Sequence, residues 1–374
     1  MEKALYWIWF SNLSKMDKNA KMYLLETFDN AENVYNCTDF SNISYLSLKD
    51  KTILMNKNLE NAERIIERAN ELDIQIIPFD SPDYPKSLRE IHNPPYVLYA
   101  KGTLPDWDSQ LFIAIVGTRY CTDYGISAAK QFAGGFAENG VVTVSGMARG
   151  IDSEAAMSSM NHNGKTIAVL GCGVDICYPP ENIALMEQIA EKGLLLSEFP
   201  PESPPLPHHF PMRNRIISGL SHGILVIESG KKGGSLITAN LALEQGKDVF
   251  AVPGSIFHKE SEGTNQIISR GNARAVTCAQ DILDEYAYSF SFEKQEPVIT
   301  SSPQEITEVH IKEFDGLSES EEKIAKLLLS GPLHADEIKR LCGLDASELT
   351  TTLSMLEFSG HIERESGNIY KLKL

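Results

Sequence analysis

Positive charge is what this chain lacks most. Its 374 residues carry 34 Lys and Arg against 51 Asp and Glu, a formal net charge of −17 at pH 7. A field of that sign repels polyanions and argues against broad, sequence-blind binding of nucleic acid. Any contact with a polynucleotide must rest on a local cationic site. Cysteine is sparse as well: Cys37, Cys121, Cys172, Cys177, Cys278 and Cys342 form no CxxC pair and no Cys/His ligand spacing. That pattern speaks against a disulfide framework or a zinc site and suits reduced thiols in a cytoplasmic protein. No apolar run is long enough to span a bilayer, and residues 4–10 are too few for the core of a signal peptide. Two phosphate-binding signatures are also missing. The GxxxxGK[ST] order is absent, because Lys231 and Lys232 precede the glycines, and GCG at 171–173 lacks a third glycine. ATP and NAD are disfavoured, and no cofactor or metal is expected.

What the chain does have is a repeating alternation centred on residues 111–150, LFIAIVGTRYCTDYGISAAKQFAGGFAENGVVTVSGMARG. Ile113 to Val116 is an apolar, β-branched run of the kind buried on both faces of a sheet. Gly117-Thr118-Arg119 breaks it, a helix is expected over 125–138, and a second strand over 141–144 ends in Ser145-Gly146. Strand, helix and strand in about forty residues make a βαβ unit and imply a parallel sheet. The alternation continues to residue 277 and predicts six or seven parallel strands, a doubly wound α/β fold. Ligands of such sheets sit at the C-terminal strand ends, where these Gly, Ser and Arg residues fall.

Around that sheet the sequence suggests other parts. Residues 1–75 read as a small helical domain, and 76–288 as the Rossmann-like domain. A strand over 74–79 leads into a proline-rich stretch expected to run irregularly over the sheet edge. Residues 289–316 carry Ser, Pro, Glu and Gln without apolar periodicity and read as a flexible linker. Residues 317–374 give three helices and a β-hairpin turning at 366–368, a winged helix. Its third helix presents Ser347, Glu348, Thr350, Thr351, Thr352, Ser354 and Glu357 without Lys or Arg, so a protein-contact or spacer role is favoured over reading duplex DNA.

Four motifs carry candidate chemistry. In Gly117-Thr118-Arg119 the glycine allows close backbone approach and the arginine can fork onto a phosphate; a tight turn with a solvated arginine is the plain alternative. Ser145-Gly146 repeats the theme, with Asp152 either capping the next helix or positioning the loop. Gly233-Gly234-Ser235 opens a helix that Ser235 and Thr238 could cap while free amides face an anion. Phe210, Arg213, Asn214 and Arg215 suit base stacking with phosphate contact, unless one arginine is held by a carboxylate. Catalysis finds no support: His208 and His209 have no nucleophile motif nearby, and Glu198 and Glu228 are as well explained as partners for an arginine.

In collinear order, YPKSLREIHNPPYVLYAKG, AIVGTR, VVTVSGMARGID, GKTIAVLGCGVDICYP, LLLSEF, FPMRNRIISGLS, GGSLITANLALEQGKDVFAVPG and GNARAVTCAQDIL resemble the DprA/Smf family of DNA-processing proteins. The resemblance implies a dimeric single-stranded DNA-binding protein that protects incoming strands and helps load the RecA recombinase in natural transformation. It implies a DNA pocket lined by Gly117, Thr118, Arg119, Ser145, Gly146, Phe210, Arg213, Asn214, Arg215, Gly234, Ser235 and Thr238. Two departures stand out: Ala156 replaces the family's usual histidine, and Lys232-Gly233 replace a small polar pair. An enzyme resembling nucleoside-monophosphate phosphoribohydrolases is the alternative, although their PGGxGT turn is absent here.

Overall fold

The computed structural model describes residues 2–13, 15–290, 292, 318–328, 333–342, 344–365 and 368–372. The chain divides into two compact units, residues 1–297 and 298–374. All but three residues of the expected linker 289–316, and two of the hairpin turn 366–368, lie outside the described residues.

The first unit begins with helices α1 (Glu2–Ser11), α2 (Lys18–Phe28), α3 (Ala31–Asn36), α4 (Leu48–Leu54) and α5 (Glu60–Glu71). Strand β1 (Gln75–Pro78), the single turn α6 (Lys86–Arg89) and β2 (Val97–Gly102) follow. The alternation then runs β3 (Phe112–Gly117), α7 (Asp123–Glu138), β4 (Val142–Ser145), α8 (Ile151–Asn161), β5 (Thr166–Leu170), α9 (Ile183–Lys192) and β6 (Leu194–Ser197). It continues through α10 (His209–Leu220), β7 (Gly223–Ile227), α11 (Gly234–Glu244), β8 (Asp248–Ala251), α12 (Glu262–Ser269), β9 (Arg274–Ala275) and α13 (Ala279–Tyr286).

These strands form one nine-stranded sheet in the order β1-β2-β6-β5-β4-β3-β7-β8-β9. From β6 to β9 the pairing is parallel throughout, as the buried apolar runs imply. The proline-rich stretch departs from the sequence reading: Val97–Gly102 is a strand, antiparallel to β6, and β1 pairs antiparallel beyond it. Pro94 and Pro95 stop just short of β2, so they cost it no ladder hydrogen bond.

Alternation along β3 sorts the core into two faces. Phe112, Ala114 and Val116 pack with Ile216, Ile217 and Leu220 of α10 and with Ala239 and Ala242 of α11. Ile113 and Ile115 pack with Phe132 of α7, Ile151 of α8 and Ile282 of α13. The N-terminal helices bury Trp7, Ile8 and Phe10 in a third cluster that also takes Tyr99 of β2, Ala168 of β5 and Leu195 of β6. They therefore share a core with the sheet. From β3 the chain winds outward through β4, β5 and β6, then returns to place β7 on the other side of β3. That reversal opens a crevice between β3 and β7 at their C-terminal ends, where Gly117 pairs with Ile227.

In the second unit, α14 (Glu319–Leu328), α15 (Ala335–Cys342) and α16 (Ala346–Phe358) accompany an antiparallel sheet β10 (Leu333–His334), β11 (Ile362–Glu365) and β12 (Ile369–Leu372), ordered β10-β12-β11. Ser318 and Glu321 form the reciprocal hydrogen bonds of a capping box at the start of α14. Ile324, Ile338, Leu353, Leu356 and Ile362 fill its core, the arrangement of a winged helix. On α16, Glu348, Thr350, Thr351, Ser354 and Glu357 are exposed, whereas Thr352 turns inward and donates to the Glu348 carbonyl at 2.8 Å.

Candidate functional site

The crevice holds a cleft of about 650 Å³. Its walls bring together Gly117, Thr118 and Arg119 after β3, Phe210, Arg213 and Asn214 on α10, and Gly234, Ser235 and Thr238 on α11. Gly146 borders a smaller compartment of about 40 Å³ that shares Arg119, Phe210 and Arg213 with the cleft. Ser145 lines neither; it is buried, and its hydroxyl accepts the Met147 amide at 3.3 Å. Tyr178, which the sequence reading passed over, has its ring 5.2 Å from that of Phe210 and is 40% exposed. Its only signal in the sequence was an aromatic followed by Pro179 in the loop after β5.

Arg215 does not belong to the site. Its Nη1 and Nη2 donate to the two carboxylate oxygens of Glu198 at 2.9 and 2.6 Å, and its Nε donates to the Asn93 carbonyl at 3.0 Å. The group is buried and fully engaged, so it locks α10 to the end of β6. Positions 213 and 215 stand about 200° apart on a helix, and only one can face the cleft.

Arg213 takes the cleft side but lies deep. Its Nη1 donates to the carbonyls of Gly146, at 3.0 Å, and of Val169, while its Nε has no partner among the described residues. Burial lowers this guanidinium to about 10, with Asp152 pulling the other way. Gly146 is needed for this arrangement, because a Cβ there would stand 2.5 Å from both Nη atoms. Arg119 contrasts with it: exposed, at the mouth, and without an ion pair or side-chain hydrogen bond among the described residues.

Asp152 is the cleft's one carboxylate, and it positions the loop rather than capping α8. It accepts the amides of Gly146 and Ala148 at 2.9 and 3.4 Å; burial raises its carboxyl above the ordinary range, opposed by Arg213. Helices α8, α10 and α11 all start at this cleft, and their N-caps Gly150, His208 and Gly233 make no side-chain cap hydrogen bond. Ser235 and Thr238 therefore do not cap α11; the Ser235 hydroxyl donates to that of Ser229 at 2.9 Å. The first amides of α8 and α10, Ile151 and His209, donate to the Thr118 and Leu206 carbonyls and Pro211 has none, so the positive helix ends face the cleft with only part of their donors free. Around Gly234 nothing lies within 4 Å of where a Cβ would sit, which leaves backbone open to a ligand.

The acid–base alternatives fall elsewhere. Glu198 is held by Arg215, and Glu228 is buried and accepts the Thr122 amide at 2.9 Å together with its hydroxyl. His209 stacks on Phe199 at 3.9 Å and hydrogen-bonds the Gly171 carbonyl. Ala156 is packed in the core cluster beneath the N-terminal helices. No helix among the described residues is long and apolar enough to cross a membrane.

Residues 75–287 match the family model of DNA recombination-mediator protein A, and residues 314–368 that of the DprA winged helix domain. The chain is 45% identical to the DNA processing protein DprA of Bacillus subtilis over 59% of this chain and 74% of that one. It is 33% identical to the protein Smf of Synechocystis over 98% of each. Among solved structures, DprA of Streptococcus pneumoniae superposes with a TM-score of 0.65 at 33% identity, over 77% of this chain and 99% of that one. DNA processing protein A of Helicobacter pylori, solved to describe its single-stranded DNA binding mode, gives 0.53 at 30% identity over 58% and 97%. A recombination-mediator sheet with its winged helix, matched across more than half the sequence, makes this chain a member of the DprA/Smf family of DNA-processing proteins.

Proposed function

We propose that the cleft binds single-stranded DNA, taking backbone phosphate at Arg119 and at the exposed backbone opening α11, with a base against Phe210 and Tyr178. The observation that carries this reading is the convergence of those groups in one cleft of a chain that is otherwise acidic. Two arginines line it against a single aspartate, and that aspartate is turned onto loop amides. Aromatic faces accept any base, so the site selects an unpaired strand without reading its sequence. The DNA-binding mode described for the Helicobacter pylori relative supports the same ligand here.

The protein acts as a binder rather than a hydrolase: neither glutamate offered by the strand ends lines the cleft. It works in the cytoplasm as a homodimer that protects incoming strands and hands them to the RecA recombinase, with the winged helix left for a protein contact. The test is a mobility shift with single- and double-stranded oligonucleotides of equal length, adding RecA to the preformed complex. Preferential retention of the single strand and faster RecA filament growth are expected. Equal affinity for both forms refutes the cleft reading, and release of base from AMP would restore the enzymatic one.

A further inference from the structure

Beside the cleft lies the compartment of about 40 Å³, lined by Arg119, Arg149 and Arg213 together with Tyr178, Pro179 and Phe210. Its volume corresponds to about three water positions, which is the size of a phosphoryl group and far too small for a nucleoside. None of the described residues that line it is a carboxylate. Arg149 engages Glu181 through its Nε; among the described residues Arg119 and Arg213 make no ion pair, and the Nε of Arg213 is buried without a partner. An internal phosphodiester brings one negative charge and must continue on both sides. A terminal phosphomonoester brings about −1.5 to −2 at pH 7, three strong acceptor oxygens and a chain on one side only. The charge and the acceptor count match the second.

We propose that this compartment receives the terminal phosphate of a DNA strand, so that the site favours phosphorylated ends over strand interiors. The inference rests on the single-strand reading of the adjoining cleft. Arg149 is its distinctive element, because that side chain lines the compartment and not the larger cleft.

The test compares full-length protein on four probes of one sequence: a linear strand with 5′-phosphate, with 3′-phosphate, with hydroxyl at both ends, and closed into a circle. Binding of one phosphorylated probe at least fivefold tighter than the hydroxyl probe, with the circle resembling the latter, is the expected result, and the favoured end identifies the polarity. Arg149→Ala should bring the phosphorylated and hydroxyl probes to within twofold of each other. If the parent protein binds all four probes alike, the end-recognition proposal is overturned while the single-strand reading survives. If none binds, the single-strand reading fails instead.

Discussion

Arg119 and Arg215 sit in motifs of equal promise, yet the structure gives them opposite physics, and this separates the two arginines experimentally. Arg119 is exposed and makes no ion pair or side-chain hydrogen bond among the described residues, so Arg119→Ala breaks no such contact within the fold. On the single-strand reading it deletes one charge-assisted contact to phosphate, about 1.5–3 kcal/mol, which weakens binding roughly 10- to 150-fold. One phosphate contact fewer also makes the slope of log K against log salt shallower by about 0.7 for a single strand. Arg215→Ala leaves the Glu198 carboxylate, 13% exposed, without its partner. Breaking a buried pair from one side costs about 3–5 kcal/mol, enough to lower the melting temperature by on the order of 10 °C. Fluorescence anisotropy across several salt concentrations, with thermal melts of the same preparations, reads both quantities. Arg119→Ala should lose affinity and salt slope at parental melting temperature; Arg215→Ala should lose melting temperature first. The assignment of the cleft is refuted if Arg119→Ala binds like the parent at every salt concentration, or if it loses stability as Arg215→Ala does.

Gly146→Ala drives a methyl group to 2.5 Å from the Arg213 guanidinium, so the arginine must leave the Gly146 and Val169 carbonyls; single-strand affinity should fall by tenfold or more in the same anisotropy assay. Gly234→Ala meets no neighbour within 4 Å, and the added Cβ should leave stability unchanged or raise it by about 0.4–1 kcal/mol, read by denaturant melts, while obstructing the open backbone and weakening DNA binding. Lys21 provides a test that does not depend on any ligand. Its ammonium is buried over the rings of Phe10 and Tyr96, donates to the Ser11 carbonyl at 3.1 Å, and is lowered by burial to about 8 from 10.5. Between those values the unfolded chain binds more protons than the folded one, so stability rises with pH through that window, and below pH 8 the full penalty is present. Lys21→Met should therefore gain about 2 kcal/mol at pH 7, net of the lost hydrogen bond, with the gain shrinking from pH 8 to 10.5 in pH-dependent melts.

The parallel part of the sheet was legible because each strand is an apolar run between glycine-bearing turns, the form that burial on both faces demands. Strand β2 was not, since VLYAKG follows two prolines and forms the antiparallel side of the sheet, where local pattern carries no pairing information. Helix α10 begins at His209 with Pro211 in its first turn, where a missing amide costs nothing. Within that helix Arg213 and Arg215 cannot both face the cleft. Spacing alone ranks them equally; only the position of Glu198 at the end of β6, set by the fold, distinguishes them. Ser145 is likewise placed by the fold, since alternation at the end of β4 turns its side chain into the interior.

The acidity of the chain is itself part of how such a site would discriminate. At physiological ionic strength a charge is felt over about 8 Å, so groups inside the cleft answer mainly to Arg119, Arg213 and the helix termini rather than to the net charge of the chain. A duplex is stiff and presents two rows of phosphate, so bringing one phosphate to the cleft brings its neighbours against the surrounding protein. A single strand bends, and can offer one nucleotide to a 650 Å³ recess while the rest stays in solvent. A recessed cationic site in a net-acidic chain thus favours a flexible strand over a stiff duplex. Neutralising acidic surface residues away from the cleft should accordingly raise duplex affinity more than single-strand affinity.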